Sequence, residues 1–359
     1  MKTGRHLIAH IVSLFLVLAA CVAQEPTADD QARFLAGMPV RNSPLATLSL
    51  DRSWADHAAE FDKAWRELDA RQLRKIREWS GTFLGDAATA PDPLFYFFSG
   101  PDIMYAQTFF PNAGTYVLCG LEPVGTIPEV LKMPRGSITP ALQNLRKALN
   151  SVLSFSFFLT KEMKVDLTNT QLTGTLPVLY VFLARSGCKI DSVELIGIDK
   201  NGALVPEKPA TRGVRISFFG AGGKLQTLYY FTSDLSNDGI KANPAFIRFC
   251  EGLGQGRSLL KAASYLMHMD GFSNARDFLL THSRTLVQED SGIPLKSFDQ
   301  SKWSLRFFGN YCGPINLFKE RNQPDLAALY RTAKPAPLGF SFGYRWHPSD
   351  SSLMIATPK

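Results

Sequence analysis

Between Pro93 and Pro123 two apolar runs, Leu94 to Phe98 and Thr115 to Leu121, are separated by a Ser99-Gly100-Pro101-Asp102 turn, a short helical stretch from Ile103 to Phe110, and a second turn at Pro111 to Gly114. Neither run alternates with polar residues, so each reads as a strand buried on both faces, and the segment as a strand, helix, strand unit. Further along, Val193 and Leu195, Val214 to Phe219 and Leu225 to Phe231 are apolar runs separated by turns at Asp199 to Gly202 and Gly220 to Gly223. Glycine-containing turns between such runs predict an antiparallel meander. A crossover unit and a meander in one chain imply a mixed sheet, and so an α+β fold.

Helical periodicity supplies the covering layers. Trp54, Ala58, Phe61, Trp65, Leu68, Ile76 and Trp79 fall on one stripe of a long amphipathic helix, with Asp56 near its start and basic residues near its end. Three tryptophans on that stripe read as core. Helices are also expected at Pro140 to Leu153, Pro177 to Arg185, Pro244 to Leu253, Ser258 to Met269 and Asn274 to Leu286. Short strands at Trp303 to Phe308, Phe340 to Tyr344 and Leu353 to Ala356 would close the chain. No linker divides residues 51–359, which are expected to form one large domain.

The N-terminus addresses the chain elsewhere. Lys2 and Arg5 precede an apolar run from Leu7 to Ala20, too short for the roughly 20 residues of a membrane span. Leu18-Ala19-Ala20-Cys21 resembles the lipobox of bacterial lipoproteins, which implies a signal peptide of residues 1–20, diacylglycerol on Cys21, and a cell-envelope protein. Val22 in place of an aspartate after the cysteine implies the outer membrane, with the body facing the periplasm. Residues 21–50, rich in Pro, Ala, Asp and Gln, read as a flexible tether. The one partner these features predict is the membrane, through that lipid.

Loss of Lys2 and Arg5 with the signal takes the formal charge from +7 to +5. The densest basic stretch, Arg71 to Arg77, is flanked by Glu67, Asp69 and Glu78, a solvated helix face with none of the one-signed character that nucleic-acid binding requires. Cys119, Cys188, Cys250 and Cys312 permit two disulfides in an exported chain, with the pairing left open.

The motifs bearing on chemistry are partial. Strand, Gly100 turn, helix, strand and Glu122 trace the outline of a nucleotide-binding unit, in which a carboxylate after the second strand holds ribose hydroxyls. One glycine stands where three are wanted, however, and Pro101 removes an amide donor. Ser258-Leu259-Leu260-Lys261 matches a Ser-x-x-Lys pattern, but the pattern recurs at Ser186 to Lys189 and its usual companion elements are missing. Polar residues gather in three loops, Ser99 to Asp102, Thr232 to Asp238 and Gln288 to Pro294. Were these to meet, Asp102, Glu122, Asp234, Asp238 and Asp290 would form a carboxylate site for a divalent cation, or divide into acid and base. The candidate catalytic residues are therefore Asp102, Asp234, His268 and Asp290. Candidate binding residues are Ser99, Tyr105, Glu122, Asp238 and Ser291. Metal and cofactor are unspecified.

Ser99-Gly-Pro-Asp102, Phe110-Pro-Asn-Ala113, Thr115-Tyr-Val-Leu118 and Gly120-Leu-Glu-Pro-Val-Gly125 resemble a family of exported bacterial proteins with no assigned activity. Lys261-Ala-Ala-Ser-Tyr-Leu-Met-His268, Asp290-Ser-Gly-Ile-Pro294 and Gly309-Asn-Tyr-Cys-Gly-Pro-Ile315 belong to the same pattern, so the likeness runs over residues 90–345. It implies an exported single unit and no reaction. The function expected is that of an envelope lipoprotein binding a ligand or partner, the alternative being an exported hydrolase with a carboxylate site.

Overall fold

The computed structural model describes residues 25–155, 171–206 and 211–359. The signal segment, Cys21 and residues 22–24 lie outside the described residues. The segment expected to be a loose tether is folded from Thr27 onward. Thr27 and Asp30 form a reciprocal capping box on α1 (Ala28–Leu35), which satisfies two amides that the first turn would leave bare. Ala32, Phe34 and Leu35 are buried in the main core. Trp54 Nε1 donates to Phe34 O at 3.1 Å, His57 Nε2 to Leu35 O at 2.9 Å and Arg185 Nε to Ala36 O at 2.8 Å. Composition concealed this because Phe34 and Leu35 stand among polar and small residues, in a helix of only two turns.

The tryptophan stripe runs along α2 (Arg52–Leu68), one π-helical turn (Asp69–Leu73) and α3 (Arg74–Phe83). After α4 (Asp86–Thr89) come β1 (Leu94–Tyr96), α5 (Ile103–Phe109) and β2 (Thr115–Gly120), the expected strand, helix, strand unit. Helices α6 (Arg135–Phe155) and α7 (Leu176–Arg185) lead to the meander of β3 (Lys189–Ile198), β4 (Leu204–Pro206), β5 (Thr211–Phe219) and β6 (Leu225–Thr232). The second half contains α8 (Asn237–Ala242), α9 (Ala245–Gly252), β7 (Gly256–Leu260), α10 (Ser273–His282), β8 (Ser283–Gln288), β9 (Trp303–Gly309), α11 (Pro324–Ala333) and β10 (Ser352–Pro358).

Among the described residues, all ten strands join one mixed sheet in the order β4-β3-β5-β6-β2-β1-β7-β8-β10-β9. The five central strands, β6 to β8, are mutually parallel, while the meander on one flank and the β10–β9 pair on the other are antiparallel. The fold is α+β, a single domain. Alternation along each central strand feeds two cores. Leu94 and Tyr96 of β1 and Tyr116 and Leu118 of β2 face the layer holding α1, α2, α3, α5, α6 and α7. Phe95, Val117 and Cys119 face the layer holding α9 and α10. No helix among the described residues is long and apolar enough to cross a membrane.

Three local expectations fail, two through sheet pairing and one for want of it. Ser258 to Met269 is β7 followed by a 3-10 turn, and Asn274 to Leu286 is α10 followed by β8. In both, a pattern rich in leucine fits either period, and the sheet positions beside β1, taken by β7, and beside β7, taken by β8, decide for strand. Phe340 to Tyr344 is unpaired chain, although Phe340 and Phe342 are buried against α3 and α5 aromatics. Cys119, Cys188 and Cys250 are buried free thiols and Cys312 is an exposed one.

His57 offers a test of the N-terminal docking. Burial lowers its pKa from 6.5 to about 4, and its Nδ1 has no hydrogen-bond partner among the described residues. Between those values the unfolded chain takes up a proton that the native state does not, so His57 contributes stability above pH 6.5 that is lost as pH falls toward 4. In urea unfolding, the stability difference between wild type and His57→Gln is expected to shift against wild type by on the order of 3 kcal/mol from pH 7 to pH 4. A difference independent of pH would contradict the buried placement.

Candidate functional site

In the parallel core the chain starts at β1, steps outward to β2 and on to β6, then crosses back to β7 and β8 on the other side. The loops leaving β1 therefore part in opposite directions from those leaving β7, and a crevice opens at the carboxyl ends of the strands. A cavity of about 210 Å³ occupies that place. Its walls come from Phe98 to Asp102 after β1, Cys119 to Glu122 at the end of β2, Ser233 to Leu235 after β6, and Lys261 and Ala262 after β7. Tyr96, Leu266, Phe272 and Tyr344 complete them. Leu121, 71% exposed, and Leu266, 36% exposed, form an apolar lip.

A buried ion pair lines this cavity. Lys261 Nζ lies 2.5 Å from Asp102 Oδ2, and the two residues are 3% and 1% exposed. Tyr96 donates to the same Oδ2 at 2.9 Å, while Asp102 Oδ1 caps α5 by accepting from Tyr105 N at 3.3 Å. Lys261 Nζ also sits 3.6 Å from the centre of the Tyr105 ring, a cation–π contact in a dry setting. The Tyr105 hydroxyl donates to Gln72 Oε1 at 2.8 Å, and Gln72 Nε2 donates to Ser341 O at 2.9 Å. Gln72 belongs to the π-helical turn, whose extra residue breaks the register of the α2–α3 rod at this contact. Burial pushes the Asp102 carboxyl up and the Lys261 ammonium down from their ordinary values, and each partner's charge pulls the other back.

Backbone strain aims these groups. Phe98 and Ala262, at the ends of β1 and β7, hold φ of 58° each, a left-handed conformation unfavourable for residues with a side chain. Ala262 is fixed there by its amide, which donates to Glu289 Oε1 at 2.6 Å. Glu289 follows β8, is fully enclosed, and also accepts from the Ser291 hydroxyl. Desolvation, then the adjacent Asp290, pushes its carboxyl well above the usual carboxylate range. Asp290 accepts from the Tyr265 hydroxyl at 2.6 Å and pairs with Arg345 at 3.4 Å. Tyr344 connects this cluster to the cavity by stacking at 9° on Tyr265.

Of the residues expected to form a site, Ser99, Asp102, Glu122 and Asp234 line one cavity. Tyr105 lies behind it beneath Lys261, and Ser291 is buried on Glu289. Asp290 is committed to Tyr265 and Arg345 away from the cavity. Asp238 is exposed in the first turn of α8, where its charge complements the helix dipole. His268 ends the 3-10 turn after β7, outside the cavity walls, and partial burial lowers its pKa to about 4. The five carboxylates therefore do not converge as a cation site. Among the described residues, no group of three or more His, Cys, Asp or Glu is placed to hold a metal ion. Ser258 and Lys261 are likewise not one helical turn apart. Ser258 is inside β7, hydrogen-bonded to Ser283 Oγ at 2.7 Å.

Lys261, Tyr96 and Glu289 were not among the expected site residues. Lys261 had entered only as the partner of Ser258 in the Ser-x-x-Lys pattern; a lysine directly following an apolar run reads as exposed unless the run is a central strand. Compared with known proteins, the chain matches no family model, no curated protein and no solved structure.

Removing one partner of a buried pair strands the other charge. Lys261→Met and Asp102→Asn are each expected to lower unfolding stability by about 3–5 kcal/mol, and the double variant to lose less than the two losses combined. Additive losses in chemical denaturation would show that the two groups do not act on each other.

Proposed function

We propose that this chain is an exported bacterial envelope lipoprotein, anchored through Cys21, whose folded body binds a small molecule in the crevice at the ends of β1, β2, β6 and β7. The observation that carries the binding reading is the cavity itself, with apolar walls around a few fixed polar groups at the point where strand order reverses. Its electrostatics narrow the ligand. Asp102 and Lys261 neutralise each other, whereas Glu122 and Asp234 form no ion pair among the described residues. The site therefore favours an occupant with apolar faces that donates hydrogen bonds or carries positive charge.

The lipobox resemblance supports the anchor, and the folded N-terminus gives it a consequence. Five residues, Val22 to Pro26, separate Cys21 from the Thr27 cap. Fully extended at roughly 3.3–3.6 Å per residue, they hold the body within about 20 Å of an acylated cysteine. Such a protein works close to the bilayer surface.

A hydrolytic reading has one observation in its favour, that Glu122 and Asp234 line the same cavity. With Asp102 held by Lys261 and Asp290 by Arg345, acid and base would have to be that pair.

Two measurements test the proposal. A neutral naphthylamine dye is expected to bind with enhanced fluorescence, and Ser233→Trp, which fills the cavity from the loop after β6, to weaken it at least tenfold, about 1.4 kcal/mol, without lowering the melting temperature. Equal binding to both forms would refute the site. Mass spectrometry of the mature N-terminus is expected to find diacylglyceryl Cys21, and an unacylated terminus would remove the anchor.

A further inference from the structure

Glu122 stands where a carboxylate in this topology can do a particular task. It is the second residue after β2, 22 positions after Gly100, and lines the same cavity as the β1 turn. It is 8% exposed and joins no ion pair among the described residues. Its Oε2 has a long hydrogen bond from the Tyr230 hydroxyl, at 3.4 Å. A carboxylate has about four lone-pair sites, so most of its acceptor capacity is left for an occupant.

The backbone around it is cleared and rigid. A Cβ on Gly120 would lie 2.2 Å from Glu122 Oε2 and 3.0 Å from Gly100 Cα, so a side chain there would displace the carboxylate. The Glu122 carbonyl accepts from Tyr230 and from Thr232, each at 2.8 Å, which fixes the residue against β6. Phe98, Leu235 and Phe272 supply apolar surfaces across the same cavity.

Resting on the cavity being a ligand site, we propose that Glu122 receives a vicinal diol of a sugar ring, both hydroxyls donating to its carboxylate while an apolar face of the ligand packs on the aromatic wall. Two sources share that chemistry, the ribose of a nucleoside and a saccharide. A phosphate subsite is not part of the proposal. Pro101 has no amide to donate, and the start of α5 is already capped by the Asp102 carboxylate. The ligand is thus an uncharged diol, or the nucleoside portion of a molecule without a phosphate at this wall.

Calorimetric titration of the full chain with adenosine, 2′,3′-dideoxyadenosine, methyl β-D-ribofuranoside and methyl α-D-glucopyranoside tests this. Adenosine binding that weakens at least tenfold in the dideoxy compound supports a nucleoside source. Binding of either methyl glycoside as tightly as adenosine supports a saccharide source. In both cases Glu122→Gln is expected to weaken the diol at least tenfold. No binding by any diol, equal binding of adenosine and its dideoxy form, or no effect of a folded Glu122→Gln overturns the proposal. The dideoxy comparison needs no variant, so it decides even if Glu122→Gln fails to fold. Naphthylamine binding that Ser233→Trp abolishes, in the absence of diol binding, defeats this proposal and spares the cavity; loss of both defeats the cavity reading itself.

Discussion

The contact between Lys261 and Asp102 ties the end of β7 to the turn after β1, and the crevice depends on it. An ammonium and a carboxylate taken out of water cost several kcal/mol each, recovered only where geometry is close and the remaining hydrogen-bonding capacity is used. Both conditions hold here. Tyr96 and Tyr105 N complete the carboxylate, while the Tyr105 ring underlies the ammonium. A hydrophobic pair would fill the same space with less cost. What the ion pair adds is direction, since it holds together two loops that leave the sheet on opposite sides of the strand-order reversal.

Around this pair, shells of buried polar groups connect distant parts of the chain. Gln72 carries the network into the π-helical turn of the long rod and to Ser341 near the C-terminus. Glu289, by accepting from the Ala262 amide, keeps Ala262 in a left-handed conformation and so controls where Lys261 emerges from β7. A residue at the end of β8 thereby shapes the wall built by β7. Such dependence is characteristic of a site whose geometry is fixed before a ligand arrives.

How much of this was legible in the chain depended on whether local pattern and tertiary demand agreed. They agreed for β1, α5 and β2, whose apolar runs are strands by composition and whose turns are marked by Gly and Pro. They agreed again through the meander from β3 to β6. They disagreed at Ser258 to Leu260 and at Ser283 to Gln288, where pairing beside β1 and then beside β7 decided, and at Phe34, whose burial depends on α2 and α7. The site was legible in half. Ser99, Asp102, Glu122 and Asp234 stand at strand ends, where loop polarity is informative. Asp290, Ser291 and Tyr105 serve the layer behind. Lys261 was read only as the partner of Ser258 in a Ser-x-x-Lys pattern, because a lysine reads as surface until its strand is known to be central.

The account rests on one buried ammonium, which nitrogen-detected NMR of lysine-labelled protein can observe directly. It predicts a Lys261 Nζ resonance whose protons exchange slowly with water at neutral pH and that shifts when a ligand fills the crevice. It also predicts that this resonance loses its protection in Asp102→Asn. A Lys261 signal that exchanges as fast as those of surface lysines and is indifferent to Asp102 would contradict the account at its base.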